Sequence, residues 1–238
     1  MKIVKPFLGW TLIIVVALCA LGTNATAQKK DAKNRAEAAT TSGDATKALN
    51  ELMRIPAKSI PQSLLKKAKA IAVFPGVIKA AFIIGGRGGK GLISRRVKGG
   101  WSAPAMFKIG GGSVGFQIGG SSTDVVMLFM TDDSLKNLLE DKFEIGGEAA
   151  AAAGPIGRTI RATTDAQLQA EILSYSRSKG LFAGVAISGA VISPDNDTNQ
   201  LLYSLEAKEM LTGENKIAFD SIPPATVGFH RALTRHAK

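Results

Sequence analysis

The pattern of apolar and polar residues changes twice along this chain, and it predicts helices, then many strands, then helices again. Apolar residues recur every three or four positions in residues 48–53 and again in 64–71, which is typical of two amphipathic helices, the first capped by Asp44. Strand-like runs separated by glycine pairs then fill most of residues 71–192. Helical patterns return near residues 198–202, 207–211 and 225–236.

This order predicts an α+β fold: N-terminal helices packed on a glycine-rich, mainly antiparallel β-barrel or sandwich, with C-terminal helices. The 26 glycines suit such a sheet, because glycine inside a strand marks a bulge, a bend or a close approach of two backbones. We divide the chain into a signal peptide (1–27), a polar, helical lead-in (28–54), the main domain (55–205) and a helical C-terminal extension (206–238).

The first 27 residues have the pattern of a secretory signal. Two lysines precede an uncharged apolar run over residues 7–21, and Ala25 and Ala27 suit the two small-residue positions of a signal peptidase site. We expect cleavage after Ala27 and an exported protein that is periplasmic or associated with the cell envelope; a retained membrane anchor is the alternative. The single cysteine, Cys19, would leave with the signal, so no disulfide is expected.

The formal net charge of +11 is concentrated in one segment. Residues 52–123 contain no Asp or Glu and twelve Lys or Arg, whereas residues 124–238 contain 15 acidic and 11 basic residues. A surface of one sign attracts polyanions, although the acidic second half could also fold against it and neutralise it. Export and the lack of a basic helix with interleaved aromatic residues argue against nucleic acid as the polyanion that this segment binds. Anionic phospholipid is the polyanion that an exported protein meets.

Two groups of residues form the candidate lipid-binding site. Residues 64–69 predict a short basic amphipathic helix, which could bury its leucines in a membrane interface or could pack the same apolar stripe on the protein core. Residues 87–98 add a cluster of cations. The candidate lipid-binding residues are Leu64, Leu65, Lys66, Lys67, Lys69, Arg87, Lys90, Arg95, Arg96 and Lys98.

Residues 86–91, GRGGKG, match the G-x-G-x-x-G pattern of dinucleotide-binding loops. Such a loop must open a helix, but the following residues have the pattern of a strand, and Gly91 stands where a P-loop needs Ser or Thr. We therefore predict a hairpin loop that presents amides and two cations to a phosphate headgroup. Tyr175 and Lys179 have the Y-x-x-x-K spacing of short-chain dehydrogenases, an enzyme class that needs the nucleotide fold just rejected.

The sequence contains no recognisable catalytic or metal site. His230 and His236 are the only histidines and no cysteine would remain after the signal, so metal ligands are few, and no metal or cofactor is expected. No base stands beside a nucleophile in a known spacing, and we predict that the protein is not an enzyme. Carboxylates for acid–base chemistry would have to come from Asp124, Asp132, Asp133, Glu144 and Glu148, of which the second and third have the position of helix caps.

Six blocks of the sequence together resemble one known family. The chain is similar through these blocks to the SYLF domain, also called the Ysc84-type domain, over about residues 55–203. Six blocks in one order are a more specific signal than any single motif above. They lie at residues 60–73, 86–91, 101–104, 115–120, 154–158 and 175–185, and they include GRGGKG, WSAP, GFQIGG and GPIGR.

The resemblance implies a lipid-binding module, and the family supplies no catalytic activity. Its eukaryotic members are membrane-associated proteins that bind phosphoinositides, and some bind actin. Export argues against actin as a partner of this chain and favours phosphatidylglycerol or cardiolipin over phosphoinositides. We therefore expect an exported, bacterial-type member that binds anionic phospholipid at the envelope membrane. The alternative is a structural or assembly factor that binds an acidic protein or polysaccharide of the envelope.

Replacing Ala27 with Leu tests the cleavage site. A large side chain does not fit the last position before the cut, so we expect the precursor to accumulate, whereas the wild-type protein should begin at Gln28. Mass spectrometry of the purified proteins distinguishes the two. Ala20→Leu lies inside the apolar run and serves as the control, with cleavage unchanged. A wild-type protein that keeps its first 27 residues in an exporting host would contradict the prediction.

Overall fold

The computed structural model describes residues 8–54, 59–81, 84–114, 119–140, 142–147, 149–156, 170–178, 181–185, 187–213 and 217–237. Helices stand at both ends of this range, with one short helix between strands. They are α1 (Leu8–Arg54), α2 (Gln62–Lys67), α3 (Asp132–Leu138), α4 (Asn196–Tyr203), α5 (Ala207–Thr212) and α6 (Pro224–His236), with a 3-10 turn at Phe219–Ser221.

The described strands form one sheet that curls into a nearly closed barrel. Its order is β6-β10-β4-β2-β1-β5-β8-β7, with β3 added to β2 and β9 added to β8. All pairs are antiparallel except β7 with β8. The strands are β1 (Ala70–Ala81), β2 (Ile84–Val97), β3 (Gly100–Trp101), β4 (Ala105–Val114), β5 (Gly119–Phe129), β6 (Phe143–Ile145), β7 (Ala151–Ala153), β8 (Ile172–Ser178), β9 (Leu181–Gly184) and β10 (Ala190–Pro194).

The two faces of the sheet bury two separate cores. In β1, Ala70, Ala72 and Phe74 point into the barrel, where they belong to what we call the inner core. Ile71 and Val73 point outwards, into the outer core between the sheet and the helices. Successive side chains of a strand point to opposite faces, so a strand covered on both sides must be apolar at every position. This explains the unbroken apolar run at the start of β1.

Helices α1 and α6 cover the outer face of the barrel. Leu49 and Leu52 of α1 and Phe229 and Leu233 of α6 are fully buried in the outer core. Each such side chain contributes about 1.5–3 kcal/mol when it leaves water. The predicted α+β architecture, with helices before and after a mainly antiparallel barrel, is confirmed.

Residues 71–74 and 77–81 belong to one strand, β1, which contains a β-bulge. The register shifts between Val73 and Ile78 against β2 and between Phe74 and Val77 against β5. Pro75 has no N–H to donate, and Gly76 takes a φ of +58°, a conformation that glycine adopts without strain. The Gly76 N–H is bonded instead to Asp124 Oδ1 at 2.9 Å. The proline and glycine therefore bend the strand without ending it.

The hairpin loop predicted for residues 86–91 is wrong, because these residues lie inside β2. Gly86 and Gly88 pair with β1 on one side and with β4 on the other. The backbone amides of a strand between two neighbours belong to the ladders, so the segment cannot cradle a phosphate as a glycine-rich loop does. No helix follows it, which agrees with the rejection of a nucleotide site. At Gly89 and Gly91 the missing side chain instead lets β1 approach closely.

Two predicted helix starts also differ from the structure. Asp44 caps no helix, because α1 continues through it. Thr40 and Thr46 donate their hydroxyls to backbone carbonyls four residues earlier in the same helix. In α3 the cap is Thr131, whose side chain accepts the Ser134 N–H, while the two aspartates occupy the first turn. Among the described residues, no helix has the length and apolar character needed to cross a membrane.

Gly91→Ala should destabilise the barrel by about 1–3 kcal/mol, the usual range for overpacking. A Cβ at Gly91 would lie against the Val73 carbonyl oxygen and 2.5 Å from Phe74 Cδ1. Gly88→Ala is the matched control on the same strand, since a Cβ there meets nothing within 4 Å; we expect a change within about 0.5 kcal/mol. Urea unfolding of both variants measures the difference, and equal losses would contradict the packing argument.

Candidate functional site

The structure places the two leucines of the predicted lipid-binding helix against the protein itself. Leu65 is 1% exposed and belongs to the outer core. Leu64 is half-buried and packs against the same core. The apolar stripe of α2 is therefore occupied by the fold, as in the second interpretation of its sequence. Its neighbours Lys66 and Lys67 are exposed.

Two of the predicted cations, Arg95 and Lys69, are bonded to distant parts of the same chain. Arg95 donates from Nη1 to the carbonyls of Leu211 and Thr212, at 2.8 and 2.5 Å. These carbonyls end α5, so the guanidinium caps the negative end of that helix. Lys69 forms an ion pair with Asp132, with 2.9 Å between Nζ and Oδ2.

Arg96 joins the ends of two helices. Its Nε donates to the Ala68 carbonyl at 3.1 Å, and its Nη2 donates to Leu65 at 2.6 Å and to Ala237 at 3.2 Å. Its guanidinium also lies 4.1 Å from the centre of the Trp101 ring, a cation–π contact. Burial lowers the pKa of Arg96, but an arginine so placed remains protonated at neutral pH. It holds the end of α2 beside the end of α6.

Lys90 lies in a small cluster of alternating charges. Its Nζ is 2.8 Å from Glu37 Oε2 and 3.6 Å from Asp195 Oδ2, and Lys108 is 2.8 Å from Asp195 Oδ1. The hydrogen bond to Glu37 outweighs burial and raises the pKa of Lys90. Burial opposes ionisation of Asp195, but the hydrogen bond and charge of Lys108 outweigh it and lower its pKa. The positive charge of Lys90 is therefore balanced by Glu37 and Asp195 within the fold.

The acid-free segment is thus partly neutralised and partly uncovered. Lys69, Lys90 and Lys108 have carboxylate partners, from α1, α3 and the start of α4. Lys58 lies outside the described residues. Within the described ranges, no ion pair holds the remaining exposed cations of this segment, which are Arg54, Lys66, Lys67, Lys79 and Lys98, or the half-buried Arg87.

Three helices end at one corner of the molecule, and each has cations in its last turn: Arg54 in α1, Lys66 and Lys67 in α2, and Arg235 in α6. We call these four exposed side chains, with Arg96 between them, the basic corner. Its geometry follows from the Arg96 contacts, which bring α2 and α6 together.

A second contact attaches the end of α1 to the same corner. His236 donates from Nε2 to Asn50 Oδ1 at 2.7 Å, one turn before the end of α1. Burial and then the charge of Arg235 lower the pKa of His236, so at neutral pH this histidine adds no positive charge. Part of the corner has a structural role, because cations complement the negative ends of helices by about 0.3–1 kcal/mol each. That role involves partial charges only and leaves the cations able to meet an anion.

Two of the carboxylates considered for catalysis, Asp124 and Asp132, have structural contacts. Asp124 Oδ2 accepts from Arg177 Nε at 2.7 Å, and its other oxygen accepts the Gly76 N–H. Asp132 pairs with Lys69. In the part of the chain that the structure describes, no three His, Cys, Asp or Glu side chains are placed to hold a metal ion. Lys179, of the Y-x-x-x-K spacing, and Glu148 lie outside it.

Comparisons with known proteins identify the family. A family model described as Ysc84, Las17-binding protein actin regulator, matches residues 110–236. LAS seventeen-binding protein 3 of Saccharomyces cerevisiae is 36% identical over 184 residues, which cover 75% of this chain and 39% of that protein. The chain belongs to the Ysc84 family. SH3 domain-containing YSC84-like protein 1 of Homo sapiens is 34% identical over 179 residues, 71% of this chain and 52% of that protein.

The resemblance to the Ysc84 family that the six sequence blocks indicated is therefore confirmed. The chain spans about two fifths to half of the length of the relatives that it matches. Those relatives are named as binding or regulator proteins and not as enzymes. The matched region extends to residue 236, so the basic last turn of α6 lies within the family domain.

Arg54 and Arg235 belong to the basic corner but not to the set of residues selected from the sequence. Each lies in the last turn of a helix that the apolar pattern predicts, so basic residues at helix ends were the available signal. What the pattern lacks is any sign that these helices end at the same place, because the contacts that bring residues 54 and 235 together join distant segments, as His236 joins Asn50 and Arg96 joins the Ala237 carbonyl.

Asp195→Asn should lower stability at pH 7, because it removes the negative charge that pairs with Lys90 and Lys108. Both lysines are partly exposed, so the expected loss is about 1–2 kcal/mol. The fold lowers the pKa of Asp195, so its stabilisation is complete above the unfolded value of about 4 and is lost as the pH falls through the folded value. Thermal unfolding from pH 7 to pH 2 should show the two proteins converging in acid. Asp197→Asn, an exposed neighbour, is the control. A difference that is independent of pH would contradict the prediction.

Proposed function

We propose that this protein binds anionic phospholipid at a membrane surface without catalysing a reaction, and that the basic corner meets the headgroups. The observation that carries the proposal is the convergence of Arg54, Lys66, Lys67 and Arg235 at one place. They come from three helices, all four are exposed, and no carboxylate of the described residues pairs with them. Four cations on one small surface match a layer of phosphates.

The expected strength follows from the number of cations. Each Lys or Arg near an anionic surface contributes about 1 kcal/mol, so four contribute about 4 kcal/mol. That corresponds to a dissociation constant of about 1 mM for a single encounter. Screening shortens the reach of such charges to about 8 Å at physiological salt. We therefore propose peripheral, reversible and salt-sensitive binding.

Insertion of the α2 leucines is a weaker mechanism than binding through the exposed cations. Leu65 is already removed from water by the outer core. Moving it into a membrane would exchange one apolar environment for another. The free energy that burial of a leucine provides, about 1.5–3 kcal/mol, would not be gained a second time. It would also break the hydrogen bonds from Arg96 to Leu65 and Ala68. Binding with α2 docked keeps these contacts.

An acidic protein surface is the second candidate ligand of the basic corner. The family description names an actin regulator and a Las17-binding protein, and the relative from yeast is named for binding to LAS seventeen. A cationic surface of this kind would serve an acidic protein or polysaccharide as well as a lipid headgroup. With the secretory signal proposed for residues 1–27, that partner would be a component of the cell envelope.

Vesicle sedimentation of a Lys66→Glu, Lys67→Glu double variant tests the lipid proposal. Removing two attractive charges costs about 2 kcal/mol, so affinity for vesicles rich in phosphatidylglycerol should fall at least about 30-fold. Wild-type binding should also weaken steadily as salt is raised, and it should be absent on vesicles of neutral phosphatidylcholine.

The matched control is Lys136→Glu with Lys208→Glu, which changes the net charge equally at two other exposed lysines. Its binding should stay close to that of the wild type if the corner itself meets the lipid. Equal losses in both double variants would show that only the overall charge matters. Binding to a purified acidic protein, without binding to acidic vesicles, would support the second candidate instead.

A further inference from the structure

A cavity of about 240 Å³ lies in the barrel beyond the inner core. Its apolar wall consists of side chains that also belong to that core, with Val77 from β1, Ile109 from β4 and Val125 from β5 among them. Its other side is polar and is lined by Lys79, Arg87, Thr123, Ser176 and Ser188. One cavity thus combines an apolar wall with cations and hydroxyl groups.

Strand geometry explains why the polar side chains point inwards. Lys79 is two residues beyond Val77 on β1, Thr123 is two residues before Val125 on β5, and alternate residues share a face. On β2, a Cβ at Gly89 would approach Val77 and Ile109, so that position faces the inside. Arg87, two residues earlier, faces the same way. The inward face therefore changes from apolar to cationic along three adjacent strands.

The positions of the two cavity cations destabilise the free protein, and a bound anion would remove this destabilisation. Lys79 and Arg87 are directly opposite each other in the antiparallel pair of β1 and β2, and like charges in that position destabilise a sheet. The Nε atom of Arg87 is buried and has no hydrogen-bond partner, which leaves the desolvation of a charged donor uncompensated. No acidic residue is among the side chains that line the cavity in the described part of the chain.

We propose that this cavity binds the phosphate group of a small amphiphile, with its first few carbons against the apolar wall. Two cations match the charge of a phosphate monoester, and the hydroxyls of Thr123, Ser176 and Ser188 supply further donors to its oxygens. The volume lies below the about 300 Å³ at which pockets for drug-sized ligands begin. It therefore accommodates a headgroup and a short chain, not a whole phospholipid.

The cavity is a second site, separate from the basic corner. Arg87 and Arg96 are nine residues apart on β2, which is about 30 Å along an extended strand. The proposal does not rest on membrane binding at the corner, and either one can fail without the other. The amphiphile could be a lipid fragment or a free phosphate compound, and the phosphate is what both share.

Isothermal titration with hexyl phosphate, inorganic phosphate and hexanol tests the proposal on the purified protein. Hexyl phosphate should bind at least about tenfold more tightly than either of the other two and should raise the melting temperature. Failure of hexyl phosphate to bind would overturn the proposal, and so would equal affinity for inorganic phosphate, which would mean that the apolar wall is not used.

Arg87→Met keeps the length of the side chain and removes its charge. It should weaken hexyl phosphate binding at least about tenfold without lowering the melting temperature of the free protein, since it removes a buried donor that has no partner. Lys79→Met, at an exposed position, should also weaken binding and carries little risk to folding. Lys136→Gln is the control, with unchanged affinity. Retained affinity in both methionine variants would overturn the assignment, and vesicle binding measured in parallel reports on the corner alone.

Discussion

The central strands of this protein have apolar side chains on both faces, and both faces must be kept from water. Curling the sheet into a barrel buries one face, and helices must cover the other. Because α1, α2 and α6 all pack on that outer face, their last turns meet at the same place. Arg96 lies between them and satisfies carbonyls that would otherwise be orphaned at two helix ends. The surface that we propose for lipid binding is a consequence of this packing.

The position of each cation of the acid-free segment in the fold decides whether it pairs with a carboxylate or stays exposed. Cations on strands beside a helix start or a helix side find carboxylates, as Lys90 does with Glu37 and Asp195. Cations in the last turns of helices face the negative ends of helix dipoles, which attract them without forming ion pairs. They remain exposed and able to bind an anion. Lys79 and Lys98, elsewhere in the segment, are exposed as well.

The glycines of the sheet have a packing role that bears on the second proposed site. At Gly91 the strand approaches the backbone of Val73 and the ring of Phe74 too closely for any side chain. At Gly89 the missing side chain keeps the inner face open next to Val77 and Ile109. Large side chains fill other parts of the inner core, where the rings of Phe129 and Phe143 are in contact at 6.1 Å between their centres. Where the large side chains end, the cavity begins, with Arg87 at its edge.

The amino-acid sequence by itself determined the order of the elements, the family and the presence of a concentrated positive charge. These depend on local periodicity, on blocks of residues and on composition, all of which are properties of the sequence itself. It did not determine that Leu65 is buried in the protein, that Lys90 is neutralised by Glu37 or that residues 86–91 continue a strand. Each of these depends on residues distant in the chain, because burial and ion pairing are contacts between segments. The tertiary structure alone decided which cations share the corner, since only the packing of three helices on one face of the barrel brings residues 54, 66, 67 and 235 together.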